Sequence, residues 1–305
     1  EIINKRLTLL SKVNTVLKAG STNPTILISG KNSSSTVVNG FDIQGNGNGI
    51  EIKNSDYVTI KNNDIKTKSE GIAAFNVNYL NITKNNIVGN GKNGIALCLA
   101  NCSHISNNKI THNGLNGIVL TKSSKSYIYD NTISYNGLNG IYTADKINGV
   151  KYGEGPQNLY ISKNTINYNK NNGIFVENAG DNININMNTI QHNSENGISL
   201  TTIGTNTIQS NEISHSIVGI KFNDEYIKPK SQEISYNVIY RNSHLAAEAK
   251  DTYYYDYGDP LSIGDNWYTD NKLICPKIKT NNLRFEVTQI GENLFQASFY
   301  DSKGN

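Results

Sequence analysis

The hydrophobic positions of this chain recur at a period far longer than that of a helix or a strand. The stretch "THNGLNGIVL" at residues 111–120 is followed 23 residues later by "SYNGLNGIYT" at residues 134–143. Gly-Ile pairs recur at steps of 22–24 residues, with one step of 33, and their glycines are Gly49, Gly71, Gly94, Gly117, Gly140, Gly173, Gly197 and Gly219. A fixed period of about 20 to 50 residues predicts a solenoid.

Each repeat contains several short runs of residues that favour β-strands. One unit holds "GIVL", "KSYIYD" and "NTISYN". A helical solenoid would need apolar residues at i, i+3 and i+4, whereas Asn, Gly, Thr and Ser, which are abundant here, are poor residues for a helix interior. The pattern therefore predicts an all-β solenoid, in which two or three short strands form each coil of a parallel β-helix.

Asparagines follow the same period in three columns. The first, in the phrase Asn-x-Ile, contains Asn63, Asn85, Asn108, Asn131, Asn164, Asn188, Asn211 and Asn237. The second contains Asn46, Asn90, Asn113, Asn136, Asn169, Asn193 and Asn242. The third, preceding Gly-Ile, contains Asn48, Asn93, Asn116, Asn139, Asn172 and Asn196.

Stacking of coils gives these columns a physical meaning. Strands of neighbouring coils lie about 4.8 Å apart, so each residue lies above its counterpart in the next coil. We expect the isoleucines to form a dry core and the asparagine side chains to hydrogen-bond along the axis as ladders. We also expect these asparagines and glycines to adopt left-handed backbone at the bends, which both residue types tolerate.

The composition of the chain limits the classes of protein to which it can belong. The chain has 305 residues, 50 of them asparagine, with 36% hydrophobic and 17% charged residues. Asparagine-rich tracts can be disordered, but asparagine in register with an isoleucine column predicts order. A net charge of +3 without a basic stripe gives no indication of nucleic-acid binding. Apolar runs are too short to cross a bilayer, and no His/Cys/carboxylate cluster has the spacing of metal ligands.

The two ends depart from the repeat. We predict N-terminal capping coils over residues 1–45, regular repeats over 46–245, a C-terminal cap over 246–282 and the start of an Ig-like module over 283–305. Terminal repeats of a solenoid are expected to be atypical because they cover the open core. The segment "HLAAEAK" is interpreted as a short helical turn. We expect the sequence to be part of a longer protein, because it stops after "DSKGN".

The repeat "NxI…N…NGI" over residues 37–245 resembles the right-handed parallel β-helix repeat of the pectate-lyase-like superfamily. "INKRLTLLS", "STVVNGF", "DNWYTDN" and "SFYDSKGN" are similar to segments of adhesin-like surface proteins of methanogenic archaea. Their usual closing motif, Asn-Trp-Trp-Gly, is replaced here by Asn266, Trp267, Tyr268 and Thr269. The aligned isoleucine and asparagine columns predict about ten coils. The resemblance implies that the β-helix is right-handed and that the protein is extracellular and attached to a cell surface. It does not fix the function, since this fold hosts lyases, hydrolases, epimerases and adhesins.

The step of 33 residues between Gly140 and Gly173 is the largest break in the period. It predicts a projecting loop, "TADKINGVKYGEGP" at residues 143–156, next to two aromatic residues that follow core isoleucines and point outward. The candidate ligand-binding residues are Tyr142, Asp145, Tyr152, Glu154, Phe175 and Glu177. Aromatic faces beside carboxylates suit a sugar. The alternative interpretation is a solvated insertion beside two incidental aromatics.

A second column lies two residues after the core isoleucines. It contains His112, Tyr135, Tyr168, His192, His215 and Arg241. Such a stripe could bind a long polyanionic or glycan chain. The interpretation that we favour is a stack of β-compatible side chains on a sheet face.

Two functional hypotheses follow. The first is a non-enzymatic adhesin-like module whose partner is a polysaccharide, a cell-surface glycan or a surface protein of another cell. The second is a polysaccharide lyase, epimerase or hydrolase, for which Asp145 and Glu177 form the best available acid–base pair. A smaller insertion carries Asp224 and Glu225. We predict no cofactor, with calcium as the alternative, no insertion of this fragment into a membrane, and a monomer.

Overall fold

The chain folds as a right-handed parallel β-helix of about 9 coils with almost no helix. The computed structural model describes residues 2–3, 5–13, 15–147, 150–151, 155–202, 204–222, 232–249, 262–269, 272–274, 281–291 and 294–300. Within them, Lys31–Ser33 forms a short 3-10 helix. The predicted all-β fold class is confirmed, with about nine coils rather than ten.

Three stacks of parallel strands form the walls, which we name faces A, B and C in chain order within a coil. Face A is built from Ile2–Ile3, Ile26–Ser29, Ile50–Lys53, Ile72–Asn78, Ile95–Asn101, Ile118–Thr121, Ile141–Ala144, Ile174–Ala179, Asn196–Thr202, Val218–Phe222, Leu245–Ala249 and Lys272–Ile274. Six of these twelve strands, from Ile50–Lys53 to Ile174–Ala179, begin at the isoleucine of a Gly-Ile pair.

Faces B and C supply the other two strands of each coil. Face B contains Thr8–Leu10, Val37–Asn39, Thr59–Lys61, Asn81–Thr83, His104–Ser106, Tyr127–Tyr129, Leu159–Ser162, Ile183–Asn186, Asn206–Gln209 and Gln232–Ser235. Face C contains Val16–Ala19, Asp42–Gly45, Asp64–Thr67, Asn86–Val88, Lys109–Thr111, Thr132–Ser134, Thr165–Asn167, Thr189–Gln191, Glu212–Ser214 and Val238–Tyr240. The strand Ser262–Thr269 pairs with the last strand of both faces.

The core is a set of apolar columns, one or more from each face. In one coil Ile118, Ile128 and Ile133 are all fully buried, and each lies in register with an isoleucine of the next coil. Along each strand, apolar residues that point inward alternate with polar residues that point outward. Each buried isoleucine contributes about 1.5–3 kcal/mol to the free energy of folding. The predicted dry isoleucine core is confirmed.

Glycine precedes the face A isoleucine because no side chain fits there. A Cβ built on Gly117 would lie 2.5 Å from Ile133 Cγ2, 2.7 Å from the Gly140 carbonyl oxygen and 2.9 Å from Asn136 Nδ2. Atoms of two neighbouring coils therefore occupy the space that a side chain would need. The recurring Gly-Ile phrase is thus a packing requirement of the solenoid.

The three asparagine columns form hydrogen-bonded ladders. In the first ladder, before face C, each Nδ2 donates to the Oδ1 of the next coil at 2.9–3.0 Å. The second ladder, after face C, runs the same way from Asn90 to Asn193. In the third ladder, before Gly-Ile, the amides donate in the opposite direction, toward the preceding coil.

The ladders depart from the predicted columns near the N-terminus. Asn46 donates to the carbonyl oxygen of Gly20, and Thr67 takes the second-ladder position below Asn90. Glu70 takes the third-ladder position, where it accepts the backbone N–H of Asn93 at 2.8 Å. Burial raises the pKa of Glu70, against the lowering effect of its hydrogen bonds from Asn93.

The expectation of left-handed backbone at the ladder asparagines is wrong. In the first two ladders the residue before the asparagine has the positive φ instead, for example 55° at Asp130 and 57° at Tyr135. The geometry of Asn131 gives the reason, since its Nδ2 donates to the carbonyl oxygen of Tyr129 at 3.0 Å as well as to the next coil. The amide closes the bend around the left-handed residue, so the asparagine itself stays outside that region.

The C-terminal part contains strands where a helical turn was expected. Leu245–Ala249, within "HLAAEAK", pairs in parallel with Val218–Phe222, so that interpretation is wrong. The tertiary pairing overrides the helical propensity of Ala and Glu. Asn281–Gly291 and Leu294–Tyr300 form an antiparallel hairpin. Its assignment to an Ig-like module, like the domain boundaries, stays a prediction.

Replacing Asn131 with Ala is expected to destabilise the fold. The side chain donates to Asn164 Oδ1 and to the carbonyl oxygen of Ile105 at 2.9 Å, and it accepts the Asn108 amide. The substitution leaves these buried partners unsatisfied, at a cost of roughly 1–3 kcal/mol. Urea unfolding measures the loss. The matched control is Asn86→Ala, at an exposed asparagine, where we expect a change within about 0.5 kcal/mol. Equal unfolding free energies for the two variants would contradict the structural role of the ladder.

Candidate functional site

The exterior of face A carries a continuous row of small and apolar residues that ends in two rings. Successive coils place Ala73, Ala96, Val119, Tyr142 and Phe175 at the same outward position. All five are partly exposed. The next position in the row is Ser199. The row therefore forms a shallow apolar strip along the axis, bordered by a ring pair.

The two rings stack on each other. Tyr142 and Phe175 are register partners, and their ring centroids lie 5.4 Å apart with an interplanar angle of 28°. Because the register partner of Phe175 on the following coil is Ser199 rather than a ring, the side chain above Phe175 is small. Offset aromatic pairs of this kind are held by packing and by their quadrupoles. The sequence-predicted pair therefore comes together as one surface.

Glu177 completes this surface through a hydrogen bond. The Tyr142 hydroxyl donates to Glu177 Oε2, and the backbone N–H of Glu177 donates to Thr143 Oγ1 at 3.1 Å. Burial raises the pKa of Tyr142, and the hydrogen bond and negative charge of Glu177 and the charge of Asp145 raise it further. Tyr142 thus stays protonated near neutral pH, as a donor and not a base.

Asp145 differs from the expectation of a residue on a projecting loop. Its exposed fraction is 0%, and it directly follows the face A strand Ile141–Ala144. Lys146–Ile147 and Val150–Lys151 then pair as a short antiparallel hairpin. A buried carboxylate cannot reach a surface ligand directly, so its influence on the site is electrostatic, through Tyr142.

The remaining insertion candidates lie outside the described residues. This holds for Tyr152 and Glu154 and for Asp224 and Glu225. The ring pair and Glu177 are therefore the members of the predicted set that the structure brings together at an accessible surface. The hydrogen bond between Tyr142 and Glu177 was not predicted, although both residues were. Its only signal in the sequence was the register of two neighbouring face A strands.

The second predicted column forms a ring stack at the corner after face C. Consecutive ring centroids from His112 through Tyr135, Tyr168 and His192 to His215 lie 5.0, 5.0, 4.8 and 4.2 Å apart. These residues and Arg241 have φ values of 51–58°. The interpretation as side chains on a sheet face is therefore wrong, because left-handed backbone ends the strand at each of these residues.

His215 lies in the most crowded part of this stack. Burial lowers its pKa below the usual 6.5, and the neighbouring His192 and Arg241 lower it further. The edge of the Tyr240 ring packs against it at 6.0 Å, and the Tyr240 hydroxyl donates to Glu212 Oε1 at 2.5 Å. The stack thus holds the imidazole in its neutral form at physiological pH.

Two further ring stacks escaped the sequence interpretation. On face B, His104, Tyr127 and Tyr160 stack with centroids 4.9 and 4.8 Å apart. At the corner before face B, Tyr57 and Tyr79 stack at 4.7 Å. All these residues recur at the repeat period, so the same register that predicted the asparagine columns could have found them.

The described residues contain no group of three or more His, Cys, Asp and Glu side chains that could hold a metal ion. In the same part of the chain, no helix has the length and apolar character needed to cross a membrane.

Comparisons with known proteins agree on the fold. The model of the family described as "Right handed beta helix region" matches residues 25–183 and 146–289. No curated protein matches the chain in sequence at a significant level. Solved structures also match in fold, and the predicted right-handed parallel β-helix repeat is confirmed. The similarity to adhesin-like surface proteins stays a prediction.

Three solved structures illustrate the match. A mutant of the periplasmic alginate epimerase AlgG has a TM-score of 0.57 and 20% identity, over 66% of this chain and 50% of that one. The Dettilon tailspike protein has a TM-score of 0.58 and 16% identity, over 91% and 60%. The alginate lyase from Paenibacillus sp. str. FPU-7 has a TM-score of 0.52 and 14% identity, over 85% and 97%. The chain thus spans about half the length of the first of these proteins.

The lowered pKa of His215 predicts a loss of stability in mild acid. The unfolded chain binds a proton near pH 6.5 whereas the folded chain resists it, so the unfolding free energy falls as pH drops below 6.5 and levels off below the folded pKa. Urea unfolding between pH 8 and pH 5 measures this decline. His215→Asn should show a smaller decline, while the control His104→Asn should retain it. A decline that is unchanged in His215→Asn would assign the effect to other groups.

Proposed function

Since the chain belongs to the right-handed β-helix family, we propose that it binds a polysaccharide along the exterior of face A. The observation that carries this proposal is the stacked pair of Tyr142 and Phe175, with Glu177 accepting the Tyr142 hydroxyl. Rings offer apolar faces and edges to the C–H groups of a sugar, and a carboxylate accepts hydrogen bonds from its hydroxyls.

The row of Ala73, Ala96 and Val119 gives the polymer a path. These side chains lie in register on consecutive coils below the ring pair. Small side chains keep the strip shallow and open, and strand spacing of about 4.8 Å makes it long enough for several sugar units. A chain lying on this strip would run parallel to the axis of the solenoid and reach the rings at one end.

The biological setting of this proposal is an adhesin-like module. In it, an extracellular protein attached to a cell surface presents the strip to a polysaccharide, to a glycan or to a surface protein of another cell. The similarity of "INKRLTLLS", "STVVNGF", "DNWYTDN" and "SFYDSKGN" to segments of adhesin-like surface proteins supports this setting. The ladder-bonded rod supports it too, because it would display a site without changing shape. The named activities of the structural neighbours support a carbohydrate ligand more directly, since two of them are an alginate epimerase and an alginate lyase.

The double substitution Tyr142→Ala, Phe175→Ala should weaken polysaccharide binding roughly tenfold or more, because each lost stacking contact is worth about 0.5–1.5 kcal/mol. The melting temperature should stay within a few degrees. Calorimetric titration with alginate, polygalacturonate and a neutral glucan measures binding and identifies the preferred class.

The matched control is Tyr57→Ala, Tyr79→Ala, which removes an exposed stacked pair from another corner. This variant should bind like the parent protein. If both double variants bind equally well, the site is not at the face A rings.

A second candidate function is catalysis on the same polysaccharide. The hydrogen bond between Tyr142 and Glu177 favours it, because it joins a protonated phenol to a carboxylate at the exposed surface. Glu177 would accept a proton from the sugar and Tyr142 would donate one, as general base and general acid. Calcium, if it took part, would supply positive charge next to the carboxylates of an acidic substrate. The adhesin-like module needs no such transfer.

An assay for product separates the two functions. Alginate is incubated with the protein, and unsaturated ends are followed by absorbance and epimerised sugars by NMR. If the module is an enzyme, Glu177→Gln should lose about a hundredfold or more in rate while retaining binding. Binding without turnover by the parent protein would leave the module as a lectin-like surface. Full turnover by Glu177→Gln would exclude Glu177 as the base.

A further inference from the structure

The corner stack, which we define as His112, Tyr135, Tyr168, His192, His215 and Arg241, presents its edges to solvent. Because the rings lie face to face at 4.2–5.0 Å, their faces cover one another. The exposed fractions of Tyr135 and Tyr168 are 50% and 44%. Solvent therefore meets a line of phenol and imidazole edges, and these edges carry the hydroxyl and nitrogen atoms.

The backbone fixes the direction of every side chain in this line. The left-handed φ of each residue varies by only a few degrees, from 51° at Arg241 to 58° at His112. The second asparagine ladder lies directly after the stack in sequence and holds its corner in register, for example through the 2.9 Å bond from Asn136 to Asn169. A rigid row of this kind loses little conformational entropy when it binds a ligand.

The polar atoms of the row suit an anionic chain. Protonated imidazole, phenol and guanidinium groups all donate hydrogen bonds, and they recur at the spacing of one coil. Carboxylate or sulfate groups that accept from charged donors form the stronger class of hydrogen bond. Arg241 provides a permanent positive charge beside His215.

Protonation and binding are coupled at the C-terminal end of the row. The rings of His192 and His215 lie 4.2 Å apart, so two imidazolium ions there would repel each other and Arg241. The carboxylate of Glu212 accepts hydrogen bonds from Gln191 Nε2 and from Tyr240, the ring that packs against His215. A polyanion on the open edge would relieve the repulsion, and its affinity would therefore rise as the pH falls.

We propose that the corner stack binds an acidic polysaccharide edge-on, along the axis of the solenoid. His192, His215 and Arg241 receive its carboxylate or sulfate groups, and Tyr135 and Tyr168 donate to its remaining oxygens. This surface follows face C and is distinct from the face A rings, so it does not rest on the function proposed above. Single-stranded nucleic acid suits the stack less well, because its bases need open ring faces on which to stack.

Binding of polygalacturonate oligomers at pH 5 and pH 7.5 tests the proposal. Neutral cello-oligosaccharides and single-stranded DNA are the comparison ligands. We expect about tenfold tighter binding at pH 5, which corresponds to roughly 1.4 kcal/mol.

The triple variant His192→Asn, His215→Asn, Arg241→Asn should lose this gain. Asparagine tolerates left-handed backbone, so the variant should fold. His104→Asn, in the face B stack, is the control and should keep the pH-dependent gain in affinity.

Three results would overturn the proposal. They are equal affinities of the triple variant and the parent protein at pH 5, equal binding of the cello-oligosaccharides, and tighter binding of the DNA, which would assign the surface to nucleic acid. A measurement on the unmodified protein tests the proposal even if the triple variant does not fold. NMR titration of the His215 ring should show its pKa rise when the oligomer is added, and an unchanged pKa would also overturn the proposal.

Discussion

Registration of every residue above its counterpart in the next coil is the constraint on which the whole molecule depends. The asparagine ladders enforce it, because each buried amide must meet a carbonyl oxygen of the neighbouring coil. Asn131, for instance, accepts from Asn108 and donates to Asn164, both at 3.0 Å. A slip of one residue would turn each strand inside out and leave these amides unsatisfied. The isoleucine core supplies the bulk of the stabilisation, and the ladders make one register unique.

The same constraint tolerates additions at the corners. The bond from Asn131 to Asn164 spans 33 residues, yet its length equals that of ladder bonds spanning 23. The extra residues leave the wall after Ala144 and return before Leu159, so the ladder continues undisturbed. A solenoid can therefore gain a surface segment with new side chains while the residues of its core stay the same.

Registration also builds the exterior surfaces. A ring that recurs at the repeat period stacks on its neighbour, whether it lies on face A, on face B or at a corner. Position then decides what the stack offers. The face A rings adjoin a strip of small side chains and a carboxylate, whereas the rings after face C expose their polar edges. One repeat thus generates surfaces of different chemistry on different sides of a single rod.

The sequence by itself determined the solenoid, its isoleucine core and its asparagine ladders, because period and residue type suffice when each residue meets its own counterpart. It also placed Tyr142, Phe175 and Glu177 at one surface for the same reason. Only the tertiary structure decided the burial of Asp145, the strand at Leu245–Ala249 and the left-handed backbone of the His and Tyr column. These features depend on where the chain leaves or rejoins the wall, and on which bend a ladder amide closes. The burial of Asp145 and the pairing of Leu245–Ala249 leave no periodic trace in the sequence. The His and Tyr column is periodic, but its period does not say which residue of the bend takes the left-handed backbone.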